Sequence, residues 1–249
     1  MDPKINFLSL NVGMSSTLAG LSTLITTQNL DVVFLQEVKS SGEQIELLLG
    51  RLGFKAAVNI DQECPTTPGT AIVWRASLPV TDVSILVSCR AQVARLGHYM
   101  LLNIYAPSGS DRKYERNSFF GQEIFNSLQL GNKDMWVLGG DFNSVLSAQD
   151  VEGGVGVNQK LCPALKDLVR TFNLCDVFRY TFPRCEEYTF FRAGSAASRL
   201  DRFYISSSLK NNLQGAEHIA SLSDHCAVKM SLGLDLEFRS LPKEERKRV

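Results

Sequence analysis

The stretch Met135–Asn143 (Met-Trp-Val-Leu-Gly-Gly-Asp-Phe-Asn) constrains the fold more than any other part of the sequence. It begins with four apolar residues, a pattern typical of a buried strand. Two glycines then allow a sharp turn, and Asp141 and Asn143 follow two positions apart. Residues i and i+2 of an extended backbone point the same way. The stretch therefore predicts a strand that delivers a carboxylate and an amide to one place, although an ordinary strand-ending turn would contain the same residues.

Other predicted strands end in polar side chains in the same manner. The segment Ile5–Asn11 ends in an amide, Asp31–Glu37 ends in a carboxylate, and Tyr99–Tyr105 ends in a phenol. In α/β proteins, ligands bind outside the carboxyl ends of strands. The repeated pattern therefore predicts one site at a common edge, lined by Asn11, Glu37, Tyr105, Asp141 and Asn143.

The composition limits the domain organisation and the cellular setting. The 249 residues are 44% hydrophobic and contain no linker-like break, so we predict one domain over residues 1–238 and a charged tail over residues 239–249 that leads to further domains of a longer protein. No apolar run approaches the ~20 residues of a membrane span. The N-terminus has no signal-peptide pattern, and the six cysteines form no C-x-x-C pair. We expect an intracellular protein with reduced thiols and no membrane partner. The net charge of zero means that nucleic-acid binding would need local clusters of Lys and Arg.

The periodicity of the apolar residues predicts mixed or antiparallel sheets flanked by helices. The predicted helices are Ser15–Gln28, Ser41–Leu52, Asp111–Leu130 and Leu161–Phe172. Besides those above, the predicted strands are Phe54–Ile60, Thr70–Arg75, Val80–Ser88, Tyr188–Phe191, Leu200–Ile205 and Cys226–Leu232. The Gly-rich segment Ser147–Lys160 lacks the Lys-Ser/Thr of a phosphate-binding P-loop, so it is predicted to be a loop without a nucleotide role.

The last quarter of the chain adds two groups of polar residues. Asp201 begins a predicted strand, and Ser223-Asp224-His225 precedes the final one. Neighbouring residues cannot form a hydrolase triad among themselves, so this triplet is either a solvated turn or part of a site in which Asp201 orients the His225 imidazole. The carboxylates and amides together form an oxygen-rich set that suits Mg²⁺ or Mn²⁺ better than zinc.

Short segments spread over nearly the whole chain resemble, in order, the motifs of the endonuclease/exonuclease/phosphatase superfamily. They are Leu8–Val12, Phe34–Glu37, Asn103–Pro107, Gly140–Asn143, Tyr188–Phe190, Ser198–Asp201 and Ser223–His225. Within this superfamily, the sequence looks most like the apurinic-type endonuclease domain of LINE retrotransposons. The resemblance implies an α/β fold, a four-layer sandwich of two mixed β-sheets flanked by helices, with the site at one end.

The resemblance also implies roles for the matching residues around a metal ion. Glu37 would be the principal Mg²⁺ ligand with Asn11 beside it, and Mn²⁺ would be tolerated. Asp141 would activate or position the attacking water, and Asn143 would hold water or phosphate. Tyr105 would donate to a phosphate oxygen.

Further roles follow for the last quarter of the chain. Asp201 would pair with His225, which supports the phosphate, while Asp224 would lie in the outer metal or water shell. Thr189 would brace the site. The loop 192–198 would be a hairpin tip that leans on the DNA, unless it is only a connector. Candidate DNA contacts are Asn11, Thr189, Arg192, Ser195, Ser198, Arg199 and Arg202, and further phosphate contacts could come from Arg112, Lys113, Arg116 and Arg184.

The activity implied by the resemblance is the nicking of double-stranded DNA, which leaves a 3′-hydroxyl for target-primed reverse transcription. The implied partners are the element RNA and a reverse transcriptase domain in the same polypeptide, with synthesis in the cytoplasm and activity in the nucleus. Two departures from repair enzymes, Gly13 in place of an acid and Ser198 in place of an aromatic residue, argue against abasic-site repair. A repair-type nuclease and a lipid or inositol phosphoesterase remain the alternatives.

Overall fold

Two six-stranded mixed sheets make up the centre of the computed structural model of this chain. The structure describes residues 3–13, 18–64, 66–109, 111–130, 135–154, 156–221 and 223–236. The predicted helix start at Ser15 and the predicted tail 239–249 lie outside these ranges.

The first sheet has the strand order β11-β12-β1-β2-β4-β3. Its strands are β1 (Lys4–Asn11), β2 (Val32–Val38), β3 (Phe54–Asn59), β4 (Gly69–Arg75), β11 (Leu213–Ile219) and β12 (Ala227–Gly233). The second sheet has the order β5-β6-β7-β8-β10-β9. Its strands are β5 (Val80–Val87), β6 (Ala91–Leu96), β7 (Tyr99–Tyr105), β8 (Met135–Asp141), β9 (Leu174–Asp176) and β10 (Asp201–Ser206). The parallel neighbours are β1 and β2 in one sheet and β7 and β8 in the other, so the predicted mixed sheets are confirmed.

Helices cover the outer faces of both sheets. They are α1 (Leu18–Thr27), α2 (Gly42–Leu49), α3 (Lys113–Ser118), α4 (Phe125–Leu130), α5 (Val157–Lys160), α6 (Pro163–Thr171) and α7 (Val177–Thr181). A π-helical segment, Phe119–Ile124, joins α3 to α4, so the predicted helix 111–130 is present with an irregular middle. The α2 helix begins with a capping box between Ser41 and Gln44.

The apolar residues of the strands alternate between two cores. On β1, Ile5 and Phe7 lie between the sheets, whereas Leu8 and Leu10 pack with the helices outside. A strand buried on both faces has a near-continuous apolar sequence, which explains why these central strands could be predicted. This arrangement of helix, sheet, sheet and helix confirms the predicted four-layer sandwich.

A buried polar contact ties the two sheets together just below the ends of β2 and β7. The Gln36 amide donates to Asn103 Oδ1 at 2.8 Å, and Gln36 and Ser9 also hydrogen bond. Asn103 in turn donates across the sheet interface to the backbone carbonyls of Ala71 at 2.9 Å and Leu35 at 3.0 Å. A satisfied polar group in an apolar interface fixes one relative placement, because any shift would leave it unpaired. These bonds therefore hold the edge of one sheet in register with the edge of the other.

Some elements differ from the prediction. The strands β6, β9 and β11 had not been predicted, and the predicted loop 147–160 contains short helical turns. The predicted strand Tyr188–Phe191 is wrong, because only Phe190 makes isolated bridges, to Ser198 and His225. The segment lies between these two neighbours, and Phe191 N donates to the Asp224 carbonyl. The helices within the described ranges are too short or too polar to cross a lipid bilayer, and all six cysteines are free thiols.

Candidate active site

Polar side chains from the ends of four strands meet at one edge of the sandwich. Asn11 Nδ2 donates to Asp141 Oδ2 at 3.0 Å and to Glu37 Oε1 at 3.2 Å. The Tyr105 hydroxyl donates to the same Glu37 oxygen at 3.2 Å. Asn11 and Glu37 belong to the first sheet, and Tyr105 and Asp141 belong to the second. The structure thus brings together the residues predicted from the strand ends, and the site spans both sheets.

A bulge in β2 determines the orientation of the Glu37 side chain. The pairing of β2 with β4 shifts between Gln36 and Val38, and Glu37 adopts a left-handed conformation with φ of 59°. A bulge of this kind changes the direction of a side chain relative to a regular strand. Side chains without a local hydrogen-bonding group rarely adopt this conformation, which costs about 1–3 kcal/mol. The half-buried Glu37 carboxylate consequently faces the cleft at the cost of local strain.

Gly140 allows the close approach of β7 and β8 just before Asp141. Its φ is 148°, and a Cβ atom at this position would lie 1.9 Å from the Ile104 carbonyl oxygen. Asn143 follows with a left-handed φ of 46°. Its backbone N–H donates to Asp141 Oδ1 at 2.9 Å, and its side chain donates to Asp141 Oδ2 at 3.1 Å. The predicted pairing of acid and amide after this strand therefore exists as a direct contact.

A second buried contact joins Asp201 to His225. His225 Nδ1 lies 2.8 Å from Asp201 Oδ2, and the Thr189 hydroxyl donates to the same oxygen at 2.6 Å. Burial disfavours the charged imidazole, but the carboxylate of Asp201 and its hydrogen bond outweigh burial and raise the pKa of His225 to about 10. His225 is therefore an imidazolium at neutral pH, and it points a positive charge at the cleft.

Asp141 lies directly opposite Asp201 in the pairing of β8 with β10. Burial, followed by the charge of Asp201, raises the pKa of Asp141 to about 6, while His225 and the hydrogen bonds from Asn143 and Asn11 oppose this rise. Burial and the charges of Glu37 and Asp141 raise the pKa of Tyr105 well above its usual value. Tyr105 therefore remains a hydrogen-bond donor, whereas Asp141 can exchange a proton close to neutral pH.

The donor set fits a hard divalent cation at Glu37. Glu37 lines the cleft, and no hydrogen bond to its Oε2 occurs within the described ranges. Carboxylate oxygens are ligands preferred by Mg²⁺, whereas Asn11 turns its amide nitrogen to Glu37 and its oxygen to Gly13 N. A second cluster that could hold a metal consists of Asp141, Asp201 and His225, whose ligand atoms all lie within 4.8 Å of one another. The Asp201–His225 hydrogen bond already accounts for that cluster, and a cation there would have to displace its proton, so we favour the Glu37 position.

A cleft of about 1000 Å³ lies over these residues. Asp224, which is exposed, and the catalytic candidates Glu37, Asp141, Asn143 and His225 form part of its lining. The loop 192–198 lies beside it, and its residues Arg192 to Ser195 also line the cleft. Gly194 at the tip has a φ of 77°, as a tight turn requires. The predicted hairpin tip is thus located next to the catalytic edge.

Several of the residues predicted to contact DNA have buried side chains in the structure. Asn11, Thr189, Ser198, Arg199 and Arg202 are at most 1% exposed. Asn11 and Thr189 hold carboxylates of the site, and Ser198 Oγ accepts a hydrogen bond from Lys160. Arg116 is also buried and donates to the carbonyls of Pro107 and Gly109, so it shapes the loop after β7 at the wall of the cleft.

Arg199 and Arg202 belong to a buried ion-pair network below the cleft. Arg199 contacts Asp150 at 2.9 Å and Asp176 at 2.7 Å, and Arg202 contacts Asp150 at 3.3 Å. Arg179 adds a further contact to Asp150 at 2.7 Å. Although burial raises the pKa of Asp150, the charges of Arg202 and Arg199 outweigh it and hold the pKa well below its usual value. The network anchors the start of β10, and with it Asp201.

Replacing Asp150 with alanine should destabilise the whole domain. The guanidiniums of Arg199 and Arg202 would remain buried with Asp176 as their counter-charge, and removing one partner of a buried ion pair costs about 3–5 kcal/mol. Urea denaturation would measure the loss. The control is Asp167→Ala, which removes an exposed contact to Arg170 and should change stability by less than about 0.5 kcal/mol. A loss below about 1 kcal/mol in Asp150→Ala would contradict the importance of the network.

Lys160 lines the cleft, although it was not among the site residues predicted from the sequence. It lies at the end of the Gly-rich segment, where it lines the cleft beside Asn143 and Leu200. The place of Lys160 in the cleft could not be predicted, because the segment around it has no phosphate-binding motif.

The comparison with known protein families gives the class to which this fold and this site belong. The chain belongs to the endonuclease/exonuclease/phosphatase family, whose sequence profile matches residues 8–225. It is 32% identical over 149 residues to the transposon TX1 uncharacterized 149 kDa protein of Xenopus laevis, an alignment that covers 58% of this chain and 11% of that protein.

Two solved structures share the fold. An AP endonuclease from Archaeoglobus fulgidus superimposes with a TM-score of 0.79 at 16% identity, covering 92% of this chain and all of that chain (100%). A 3′-5′ exonuclease from Neisseria meningitidis superimposes with a TM-score of 0.77 at 17% identity and the same coverage of 92% and 100%.

Proposed function

We propose that this chain is a Mg²⁺-dependent DNA endonuclease of a LINE retrotransposon. It would nick double-stranded DNA and leave a 3′-hydroxyl that primes reverse transcription. The observation that carries the proposal is the contact of Glu37 and Asp141, from different sheets, through the Asn11 amide, beside the hydrogen-bonded pair of His225 and Asp201. A phosphodiester is already anionic, so its hydrolysis needs charge neutralisation and a positioned water more than a protein nucleophile.

The residues at the cleft have separate roles in the hydrolysis. A bound Mg²⁺, held by Glu37 with Asn11 beside it, would supply Lewis-acid neutralisation of the phosphate charge. Asp141 takes a proton from the attacking water, whose oxygen forms the new bond to phosphorus while the bond to the 3′ oxygen breaks. The 3′ oxygen leaves as it takes a proton from solvent water, and His225 and Tyr105 donate hydrogen bonds to the phosphate oxygens. Asn143, fixed by its bond to the Ala106 carbonyl at 2.9 Å, positions the water or the phosphate.

The LINE context rests on the similarity to a transposon protein and on the two departures from repair enzymes. Gly13 lines the cleft where repair enzymes have an acid, and Ser198 is buried below it. The element RNA and a reverse transcriptase domain of the same polypeptide would then be the partners, and the nucleus the place of action.

The proposal is tested by nicking of a supercoiled plasmid. Purified protein should convert the plasmid to the open circle with Mg²⁺ but not with EDTA, and a DNA polymerase should extend the new 3′ ends directly. An abasic duplex and a panel of small phosphoesters should be cleaved less efficiently than intact DNA. Preference for the abasic duplex would favour a repair enzyme, and turnover of the phosphoesters alone would favour a phosphatase.

The loop 192–198 should select the nicking sites. Its exposed residues Arg192 and Ser195 lie beside the cleft. A small hairpin at this place can enter a groove of the DNA and discriminate between sequences by the width of that groove. Replacing the tip with another hairpin of equal length should change the map of preferred nicks on the plasmid while sparing most of the rate on non-specific DNA. An unchanged map would show that the loop is only a connector.

A further inference from the structure

Lys160 is held in place beside the catalytic residues. Its backbone carbonyl accepts a hydrogen bond from Val145 N at 3.0 Å, two residues after Asn143. Its side chain is half-buried, lines the cleft, and donates to the hydroxyl of Ser198 at the base of the hairpin. The ammonium therefore has a defined location between the catalytic edge and the hairpin.

No carboxylate in the described part of the chain neutralises the charge of Lys160. Within the described ranges, its polar partner is the neutral Ser198 hydroxyl, and no carboxylate lies within 4.0 Å of it. Burial lowers the pKa of Lys160, and no neighbouring charge raises it again. An ammonium has three N–H donors, and one hydroxyl satisfies one of them. The remaining donors are available to a ligand in the cleft.

The other cations near the cleft are paired with carboxylates, bound to backbone carbonyls or exposed to solvent. Arg199 and Arg202 are paired with Asp150 and Asp176, and Arg116 donates to backbone carbonyls. Arg192 lines the cleft but is exposed to solvent, which screens its charge. Lys160 is thus a partly desolvated cation without a counter-charge, and it faces the space that an anionic substrate would fill. A desolvated charge is stabilised when an opposite charge binds to it.

We propose that the Lys160 ammonium binds a non-bridging oxygen of a DNA backbone phosphate, on the side of the scissile phosphate that faces the hairpin 192–198. This inference rests on the proposed DNA substrate. Lys160 is a binding residue in this arrangement, and it does not take part in the bond-breaking step. Because phosphate contacts position the DNA without reading its sequence, the contact contributes equally at all target sequences.

The alternative is that Lys160 only supports the hairpin through Ser198. A salt series separates the two roles, because each phosphate contact contributes about −0.9 to the log–log slope of affinity against salt on duplex DNA. Binding of a duplex oligonucleotide would be measured in EDTA for the wild type and for Lys160→Met, Lys160→Gln and Lys160→Arg. Ser198→Ala is the matched control, because it removes the hydroxyl and keeps the ammonium.

The two neutral variants should bind about tenfold more weakly at moderate salt, with a slope less steep by about 0.9, on any sequence. Lys160→Arg should keep the wild-type slope, and so should Ser198→Ala. Melting temperatures would show which variants are folded. If one of the two neutral variants does not fold, the other still tests the inference. A wild-type slope in a folded Lys160→Met or Lys160→Gln would overturn the inference.

The same measurements separate this inference from the proposed function. A wild-type protein that neither binds duplex DNA nor nicks a plasmid with Mg²⁺ would refute both. A wild-type protein that nicks DNA, together with neutral variants that keep the full salt slope, would refute the phosphate contact of Lys160 alone.

Discussion

Glu37→Gln and Glu37→Ala should reduce plasmid nicking by roughly 10²–10⁴-fold, since metal Lewis-acid stabilisation contributes several kcal/mol to the barrier. Glu37 is the carboxylate in the cleft that contacts both Asn11 and Tyr105, so its loss removes the charged ligand around which the other donors are arranged. The reaction would be followed as open-circle formation over a series of Mg²⁺ concentrations. Glu37→Gln keeps an oxygen ligand, so high Mg²⁺ should restore part of its activity.

The matched control is Glu43→Gln, which alters an exposed glutamate in the first turn of α2. It should nick like the wild type at every Mg²⁺ concentration. Both Glu37 variants should unfold near the wild-type urea concentration, because the side chain is only half-buried and both substitutions leave the backbone strain unchanged. Full activity of Glu37→Ala, or wild-type activity in EDTA, would refute the assignment of the metal to this residue.

The second large effect is expected from Asp141→Asn and His225→Ala. Each should lower the rate by about 10²–10⁴-fold, the contribution typical of general acid–base and electrostatic groups. The two residues share one buried site in which Asp201 faces Asp141 and binds His225. Groups that act as a unit are strongly non-additive, so the double variant should be scarcely slower than the worse single variant. Single-turnover nicking would measure all three rates.

Duplex binding in EDTA should remain measurable in these variants, which separates a loss of chemistry from a loss of folding. His98→Ala is the control, because His98 is exposed in the turn between β6 and β7. A double variant whose loss equals the product of the single losses would show that Asp141 and His225 act independently, contrary to the geometry of the shared site.

The strand ends could be predicted from the sequence because two signals coincide there. A strand buried on both faces is continuously apolar, and the polar residue that ends it stands out against that background. This holds for Asn11, Glu37, Tyr105 and Asp141. The strands β6 and β11 were missed because their residues are mixed: Gln92 and Arg95 interrupt the first, and Gly215 and Glu217 interrupt the second.

The burial of Arg199 and Arg202 could not be predicted from the sequence for a different reason. Arg is almost always at the surface unless it is paired, so Arg199 and Arg202 next to a catalytic motif were natural candidates for phosphate binding. Their partners Asp150 and Asp176 lie in other segments of the sequence, and pairing at such separations depends on the tertiary fold. The contact of Lys160 with Ser198 is a similar case, because it joins two loops that only the folded chain brings together.

The place of β12 in the first sheet has a consequence for the biosynthesis of this protein. β12 pairs with β1, so an early and a late strand of the domain are neighbours at the centre of one sheet. His225 stands just before β12, and the other half of the site is complete much earlier along the chain. During translation, Asn11, Glu37 and Asp141 all leave the ribosome while β1 still lacks this partner and the cleft still lacks its imidazolium. Under the proposed function, a chain that terminates before residue 225 would lack both this central strand and His225, so DNA cleavage becomes possible only when synthesis has passed this point.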